Sequence, residues 1–289
     1  MRTVKTVEFA VGYVGQEPCA HFLDRARWLD VTEMNDLWMA DERFYRDPWV
    51  LLSLIGQATR RLRVGTCVTD PFVRHPALTA NAIATLDELT SGRAVLGMGA
   101  GISGFAALGI ERRSPATALR EAIHVIRALT RGEHIDFSGK MVNFRSSQLN
   151  WRPPRVIPVN VAGRGPKMLE LGGEFGDGVV IASFASGPGF EYALRHVDIG
   201  LARRPSTLGE CKRISWLYTC VSTNRAAARE AVKRGIAVAL WGSLPVLEQF
   251  GVELPSNLLS YMRSRPYSYS YDVIKPAMDM IPENIVEDL

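Results

Sequence analysis

The 289-residue sequence predicts an α/β fold in which repeated strand–helix units build a parallel sheet that curls into a barrel. Three observations carry that reading. Short apolar runs alternate with longer amphipathic ones from Val7 to Leu240, the pattern of strands crossing over through helices. Stops and caps such as Asp47-Pro48, Ser91-Gly92 and Gly132 stand where those runs change character. Hydrophobic residues make up 47% and charged residues 22%, a balance suited to one large core. An α/β barrel of about 250 residues folds as one unit, so a single domain over 1–289 is expected.

The elements follow in order. Val7 to Val14 reads as the first strand, Ala20 to Leu29 as a helix, and Asp36 to Ala40 as the second strand. A helix over Pro48 to Arg60 has Asp47 as its cap and Pro48 in its first turn. Arg61 to Thr69 is the third strand, Pro76 to Leu89 a helix ending at Ser91-Gly92, and Arg93 to Met98 the fourth strand. After a helix over Pro115 to Thr130, the stretch near 133–146 reads as an excursion hairpin turning at Ser138-Gly139-Lys140. Ile157 to Ala162 resumes the alternation. Lys167 to Phe175 is a helix, Gly178 to Ala182 the sixth strand, Phe190 to Arg203 a helix, Ser215 to Val221 the seventh strand and Ala226 to Leu240 a helix. Trp241 to Pro276, with Gly, Pro, Ser and Tyr interleaved, reads as an irregular insertion, and Ala277 to Leu289 as the approach to another helix. A parallel barrel closes with eight strands, so this chain is expected to lack its last unit.

Composition narrows the function. The 34 Lys and Arg against 30 Asp and Glu leave a net charge of +4 without a run of five like charges, which argues against a nucleic-acid surface. Cys19, Cys67, Cys211 and Cys220 form no C-x-x-C pair and no metal-ligand spacing, the usage of a reducing compartment. No metal site is predicted. The segment Met1 to Ala10 lacks a signal-peptide core, and no stretch reaches the roughly 18 apolar residues of a membrane span, so the expectation is a cytoplasmic protein with no membrane partner. No Ser/His/Asp triad or H-E-x-x-H spacing can be assembled, which disfavours a hydrolase.

In a parallel barrel the chemistry sits just after each strand. The residues there are Tyr13, Asp41-Glu42, Cys67 to Asp70, Gly99 to Gly101, Gly163 to Lys167 and Ala182-Ser183. Gly99-Ala100-Gly101-Ile102-Ser103-Gly104 satisfies G-x-G-x-x-G, but a dinucleotide fingerprint opens a helix at once and the next helix here starts near Pro115. It reads instead as a loop that lets a flat ligand approach the backbone. Gly163-Arg164-Gly165-Pro166-Lys167 joins a strand to a helix. It is either an anion site at the helix start or an ordinary turn with two solvated basic residues. Arg74 and His75 precede Pro76; His75 is a helix cap or a lining residue of the same mouth. Asp41 and Glu42 are proton carriers if desolvated, and solvated loop acids otherwise.

Two blocks resemble a known family. The first is Val64-Gly65-Thr66-Cys67-Val68-Thr69-Asp70-Pro71, then Arg74-His75-Pro76-Ala77, Ala82 to Leu89, and Gly92-Arg93-Ala94-Val95-Leu96-Gly97-Met98-Gly99-Ala100-Gly101. The second is Gly165-Pro166-Lys167-Met168-Leu169-Glu170-Leu171, Gly173-Glu174 and Asp177-Gly178-Val179. Together they resemble luciferase-like oxidoreductases, and within that superfamily the deazaflavin-dependent methylenetetrahydromethanopterin reductases. The resemblance implies a TIM-type (β/α)8 barrel whose strand ends cradle the ring of coenzyme F420, or alternatively FMN. It further implies a non-prolyl cis peptide at Cys67-Val68. The implied coenzyme contacts are Asp41, Cys67, Val68, Thr69, Gly97, Gly99, Gly101, Gly163, Gly165, Pro166, Lys167, Met168 and Ala182.

Two departures bear on the substrate. Such reductases carry a Glu on the first strand, where this chain has Gly12, and a His after the Asp that follows the second strand, where it has Glu42. A substrate other than a pterin is therefore expected. The leading expectation is an F420-dependent oxidoreductase moving a hydride to or from a small molecule, with Glu42, Asp41 or Tyr13 carrying the proton. The alternatives are an FMN-dependent monooxygenase and a non-catalytic binding or structural homologue. An incomplete sheet edge is a liability, so a homodimer partner or the chain's own 241–276 segment is expected to cover it.

Overall fold

The computed structural model describes residues 7–182, 186–268 and 270–288. The chain falls into two compact units, Met1–Asn160 and Val161–Leu289.

The first unit runs β1 (Ala10–Val14), α1 (Cys19–Asp30), β2 (Asp36–Ala40), α2 (Pro48–Ala58), β3 (Arg63–Thr66), α3 (Pro76–Leu89), β4 (Ala94–Met98) and α4 (Pro115–Thr130). A hairpin of β5 (Ile135–Ser138) and β6 (Asn143–Ser147) follows, then the start of β7 (Val159–Gly163). The strands from β1 to β4 lie side by side in chain order and parallel, with Val11 opposite Leu37, Leu37 opposite Val64 and Val64 opposite Ala94. Leu96 N donates to Pro158 O at 2.9 Å at the entry to β7. Parallel neighbours need long crossovers, and α1, α2 and α3 supply them. Leu37, Met39, Leu96, Leu52, Ile55 and Ile83 are fully buried between these strands and helices.

Local chemistry sets the boundaries. Asp47 accepts from Trp49 N at 2.8 Å and Val50 N at 3.1 Å, and Pro48 opens α2, where a missing N–H costs nothing. His75 caps α3: its Nδ1 accepts from Ala77 N at 3.2 Å while Nε2 lies 3.0 Å from Asn143 O on β6. That pairing requires the Nε2–H tautomer and ties the hairpin to α3. α3 stops where Ser91 and Gly92 adopt φ of 56° and 86°. Asp36–Ala40, Pro76–Leu89 and Pro115–Thr130 have the predicted limits. β1 begins at Ala10 rather than Val7: Phe9 N donates to the Asn35 side chain at 2.9 Å instead of to a strand carbonyl, so the regular ladder starts one residue later.

The second unit continues β7 through α5 (Pro166–Phe175), β8 (Gly178–Ile181), α6 (Gly187–Leu201), β9 (Lys212–Ser215) and α7 (Arg225–Ser243). A 3-10 helix (Leu244–Phe250), α8 (Ser256–Arg263), α9 (Tyr271–Met280) and α10 (Glu283–Asp288) complete it. β7, β8 and β9 are neighbours in that order. The close contact of α5 with α6 depends on Gly200, where a Cβ would stand 2.0 Å from Glu170 O.

Two expectations are corrected here. The seventh parallel strand is Lys212–Ser215, paired with Gly178–Ile181, and not Ser215–Val221. The apolar run that suggested the later position leaves Leu217 and Val221 exposed. Nor is Trp241–Pro276 irregular: α7 extends through Trp241, and the 3-10 helix, α8 and most of α9 lie within it. Its apolar residues Trp241, Leu247, Leu258, Met262 and Ile274 pack into one core with Leu169, Ile181 and Val197. The glycine and prolines that looked like loop punctuation bound the short helices, Gly251 closing one at φ 70° and Pro255 preceding the next. Among the described residues no helix is long and apolar enough to cross a membrane, and no group of three or more His, Cys, Asp or Glu is placed to hold a metal ion.

Candidate functional site

The first unit brings the loops after β2, β3 and β4 together. Beyond β3 the chain passes through a cis Cys67-Val68 peptide, at the position the resemblance implies. Thr69 then rejoins β4: its N–H donates to Gly97 O at 3.0 Å, and Gly99 N donates to Thr69 O at 2.9 Å. This fixes the Thr69 side chain, whose Oγ1 donates to Asp41 Oδ2 at 2.6 Å. Asp41 is thereby anchored at the end of β2 by a residue with no solvent exposure.

Glu42 meets the other loop. Ser103 Oγ donates to Glu42 Oε1. Burial pushes the Glu42 carboxyl above its ordinary range; the Ser103 hydrogen bond and the Arg43 charge oppose that, and Asp41 adds to it. A carboxyl so placed holds a proton to higher pH than a solvated Glu, which suits an acid–base group.

Around these acids stands a clamp that sequence reasoning did not single out. Arg43 forms a buried ion pair with Asp70, and Asp70 Oδ1 accepts from Phe72 N at 2.8 Å and Val73 N at 3.1 Å. The Arg43 guanidinium lies 4.3 Å from the centroid of Phe105, and Phe105 meets Phe72 edge to face at 5.8 Å. Arg112 donates to Gly101 O. The hints of this assembly in the sequence were Asp70 at the end of the third strand and the glycine motif, which contains Ser103 and precedes Phe105.

Other predicted residues stand apart. Tyr13 packs edge-on against Phe22 at 5.8 Å with Arg25 over its ring at 5.5 Å. Both partners belong to α1, so the phenol is on the helix-facing side of β1, where burial raises its pKa. It is not gathered with Asp41 and Glu42. The buried Cys67 thiol is pushed up to about 12 by desolvation, which keeps it a neutral thiol and leaves its backbone as what it offers a ligand. Gly97 has a packing reason of its own, since a Cβ there would lie 2.1 Å from Thr66 O. Trp38, in register with Gly12 and Gly65, keeps a buried Nε1 without a hydrogen-bond partner. Arg74 lies over the Trp49 ring at 5.2 Å.

The second unit holds Gly163, Gly165, Pro166, Lys167, Met168 and Ala182. Ala182 N donates to Gly163 O at 3.2 Å and Arg164 Nε to Ala182 O at 2.9 Å, so the two strand ends are stitched together. Gly165 precedes α5 without a side-chain cap, and the nearest atom to a Cβ there would be Val246 Cγ1 at 4.0 Å. A helix start with open space and an adjacent Lys167 can receive an anion. Ser183, predicted beside Ala182, lies outside the described residues.

Known proteins share both pattern and fold. The chain is 37% identical over 218 residues to a 5,10-methylenetetrahydromethanopterin reductase of Archaeoglobus fulgidus, a match covering 74% of this chain and 65% of that protein. To the enzyme of that name from Methanolobus tindarius it is 31% identical over 248 residues, 85% of this chain and 75% of the other. The solved structure of coenzyme F420 dependent tetrahydromethanopterin reductase from Methanopyrus kandleri superposes with a TM-score of 0.82 at 24% identity, over 97% of this chain and 84% of that one. The fold is thus the α/β architecture expected from the strand–helix alternation. A family model described as luciferase-like monooxygenase matches residues 3–289, and the chain belongs to that luciferase-like family.

Proposed function

We propose that the chain is a coenzyme F420-dependent oxidoreductase that moves a hydride between the deazaflavin and a small-molecule substrate, with Glu42 as the proton carrier. The observation that supports it most directly is the pair of strand-end acids, Asp41 held by Thr69 and Glu42 desolvated beside Ser103. F420 stands in the name of the superposed Methanopyrus kandleri reductase and in those of two further relatives, an F420-dependent hydroxymycolic acid dehydrogenase and an F420-dependent glucose-6-phosphate dehydrogenase. When bound, the deazaflavin supplies the hydride.

The residues present fit such a group. Cys67 N, Thr69 N and O, Gly99 N and Gly101 O are spent on hydrogen bonds within the protein, so the Cys67 carbonyl and the Val68 backbone are proposed to meet the flat ring at the cis bond. The orphaned Trp38 Nε1 marks a buried donor that a ligand can satisfy. In the second unit, the uncapped start of α5 with Gly165, Pro166, Lys167 and Met168 is proposed to take phosphate.

The chain's part in the reaction is to orient, to exclude water and to move one proton. Asp41, anchored through Oδ2, presents its other oxygen as a fixed acceptor. Glu42 is partly buried, and that desolvation strengthens the polar contacts it makes. Glu42 gives its proton to the substrate atom next to the centre that receives hydride, or takes it back in the reverse direction. Gly12 leaves the first strand without an acid, so Glu42 is proposed to do the work alone and the substrate to differ from a pterin.

Titration of the purified protein with coenzyme F420 and, separately, with FMN tests the reading. Saturable quenching of deazaflavin fluorescence with weak or no FMN binding is expected. Tight FMN binding and none of F420 overturns it.

A further inference from the structure

Glu42 receives a hydrogen bond from a loop 61 residues away, and that loop is built to deliver it. Ser103, whose Oγ donates to Glu42 Oε1, lies in a turn that includes Gly101 at φ 61° and Gly104 at φ 74°, conformations that favour glycine. The turn is fixed at several points. A Cβ at Gly104 would stand 2.9 Å from Arg43 Cβ, so turn and Arg43 stem are in contact. Phe105, the next residue, lies against the Arg43 guanidinium at 4.3 Å. Arg43 is itself tied to Asp70, and Arg112 holds Gly101 O.

We propose that Ser103 is a positioning residue for Glu42, whose hydroxyl fixes Oε1 so that Oε2 carries the proton exchanged with substrate. The proposal rests on the reading of Glu42 as the proton carrier. In the reducing direction the Oε2–H bond breaks, a new X–H bond forms on the substrate, and the electron pair stays on the carboxylate. The substrate is reduced by that proton together with a hydride from the reduced deazaflavin, which is oxidised. Ser103 then donates to the charged form and steadies it. Its effect opposes burial, as does the Arg43 charge, while Asp41 works with burial. Asp70 and Arg112, the remaining charged groups of the clamp, act through Arg43 and the loop.

The test follows the carboxyl by infrared pH titration of protein carrying isotope-labelled glutamate, without coenzyme, beside F420 fluorescence titration. The variants are Glu42→Gln, Ser103→Ala and Ser103→Thr. One carboxyl is expected to titrate above the ordinary glutamate range and to vanish in Glu42→Gln. In Ser103→Ala its midpoint should move to higher pH, and Ser103→Thr, which restores the hydroxyl, should bring it back. Coenzyme binding by Ser103→Ala should stay within about threefold of the parent, less than an ordinary hydrogen bond is worth. An unmoved midpoint in Ser103→Ala, with the signal still lost in Glu42→Gln, overturns the positioning role alone. A signal that survives in Glu42→Gln overturns both readings. Absence of F420 binding overturns the coenzyme reading and leaves the Ser103–Glu42 coupling to stand on the titration.

Discussion

Gly97 separates two explanations of the glycine-rich strand end, one by ligand and one by packing. The substitution is Gly97→Ala. Its Cβ would stand 2.1 Å from Thr66 O, 3.1 Å from Thr66 C and 3.3 Å from Cys67 Cα. All three are backbone atoms, so no side chain can rotate away and β3 must move relative to β4. Overpacking of this kind costs about 1–3 kcal/mol, with the upper end apt where the wall is main chain. The same movement strains two hydrogen bonds, Thr66 Oγ1 to Gly97 O at 2.8 Å and Gly97 N to Thr66 Oγ1 at 3.2 Å, at about 1 kcal/mol each. The expected loss is about 3–5 kcal/mol, read as a fall in urea midpoint, or on the order of 10 °C in melting temperature. Gly165→Ala is the control, because only Val246 Cγ1 at 4.0 Å approaches its Cβ; its stability should stay within about 0.5 kcal/mol. If Gly97→Ala melts with the parent protein and loses only coenzyme affinity, the glycine serves the ligand and the packing argument is wrong.

Glu42→Gln should keep F420 binding but lower turnover by about 10²–10⁴-fold, the usual worth of a placed acid–base group; full activity of the variant in a steady-state assay that follows F420 oxidation or reduction with a small-molecule substrate the parent turns over contradicts the assignment. Asp87 is fully buried and accepts from Ala94 N at 3.0 Å and bidentately from Arg155 at 2.7 and 3.0 Å. Asp87→Ala should therefore cost about 3–5 kcal/mol in chemical denaturation, and Arg155→Met added to Asp87→Ala should cost much less than Arg155→Met alone. The outer faces of α2 and α3 expose Val50, Leu54, Leu78 and Leu89, and α2 has no charged residue. Such a face can meet its own copy without opposing like charges, so Leu54→Glu with Leu78→Glu should convert a dimer to a monomer in sedimentation; an unchanged state puts any dimer contact elsewhere.

What the sequence shows of the fold follows from how local each signal is. α2 and α3 were legible because Asp47-Pro48, His75-Pro76 and Ser91-Gly92 act within a few residues of the ends they set. The helices of 244–276 were not, because each is too short to be stable alone and depends on burying Leu247, Leu258 and Ile274 in a core drawn from residues far along the chain. β9 was misplaced for a related reason: Lys212 and Arg213 are exposed, so the strand lacks the apolar run of a buried parallel strand. In the site, Asp41 and Glu42 could be found by counting from the end of a strand. Their pairing with Thr69 and Ser103 could not, since those residues, named for other reasons, reach them from 28 and 61 residues away.

Burial of Glu42 carries a consequence for stability that a merely structural acid would not show. Its folded-state carboxyl holds a proton more tightly than in the unfolded chain, with burial the largest cause. Below the ordinary glutamate range both states are protonated and nothing is lost. As pH rises from there through the raised folded value the unfolded chain ionises first, so this group progressively favours unfolding. Above the raised folded value the wild-type chain bears that destabilisation in full. Glu42→Gln keeps an acceptor for Ser103 and cannot ionise, so its melting temperature should equal or exceed that of the parent at neutral pH, with the advantage shrinking as the pH falls below the glutamate range. A variant less stable at neutral pH and unaffected by acid would mean that the carboxylate is held for its charge. A more stable and inactive one is what a fold that gives up stability for a desolvated acid must produce.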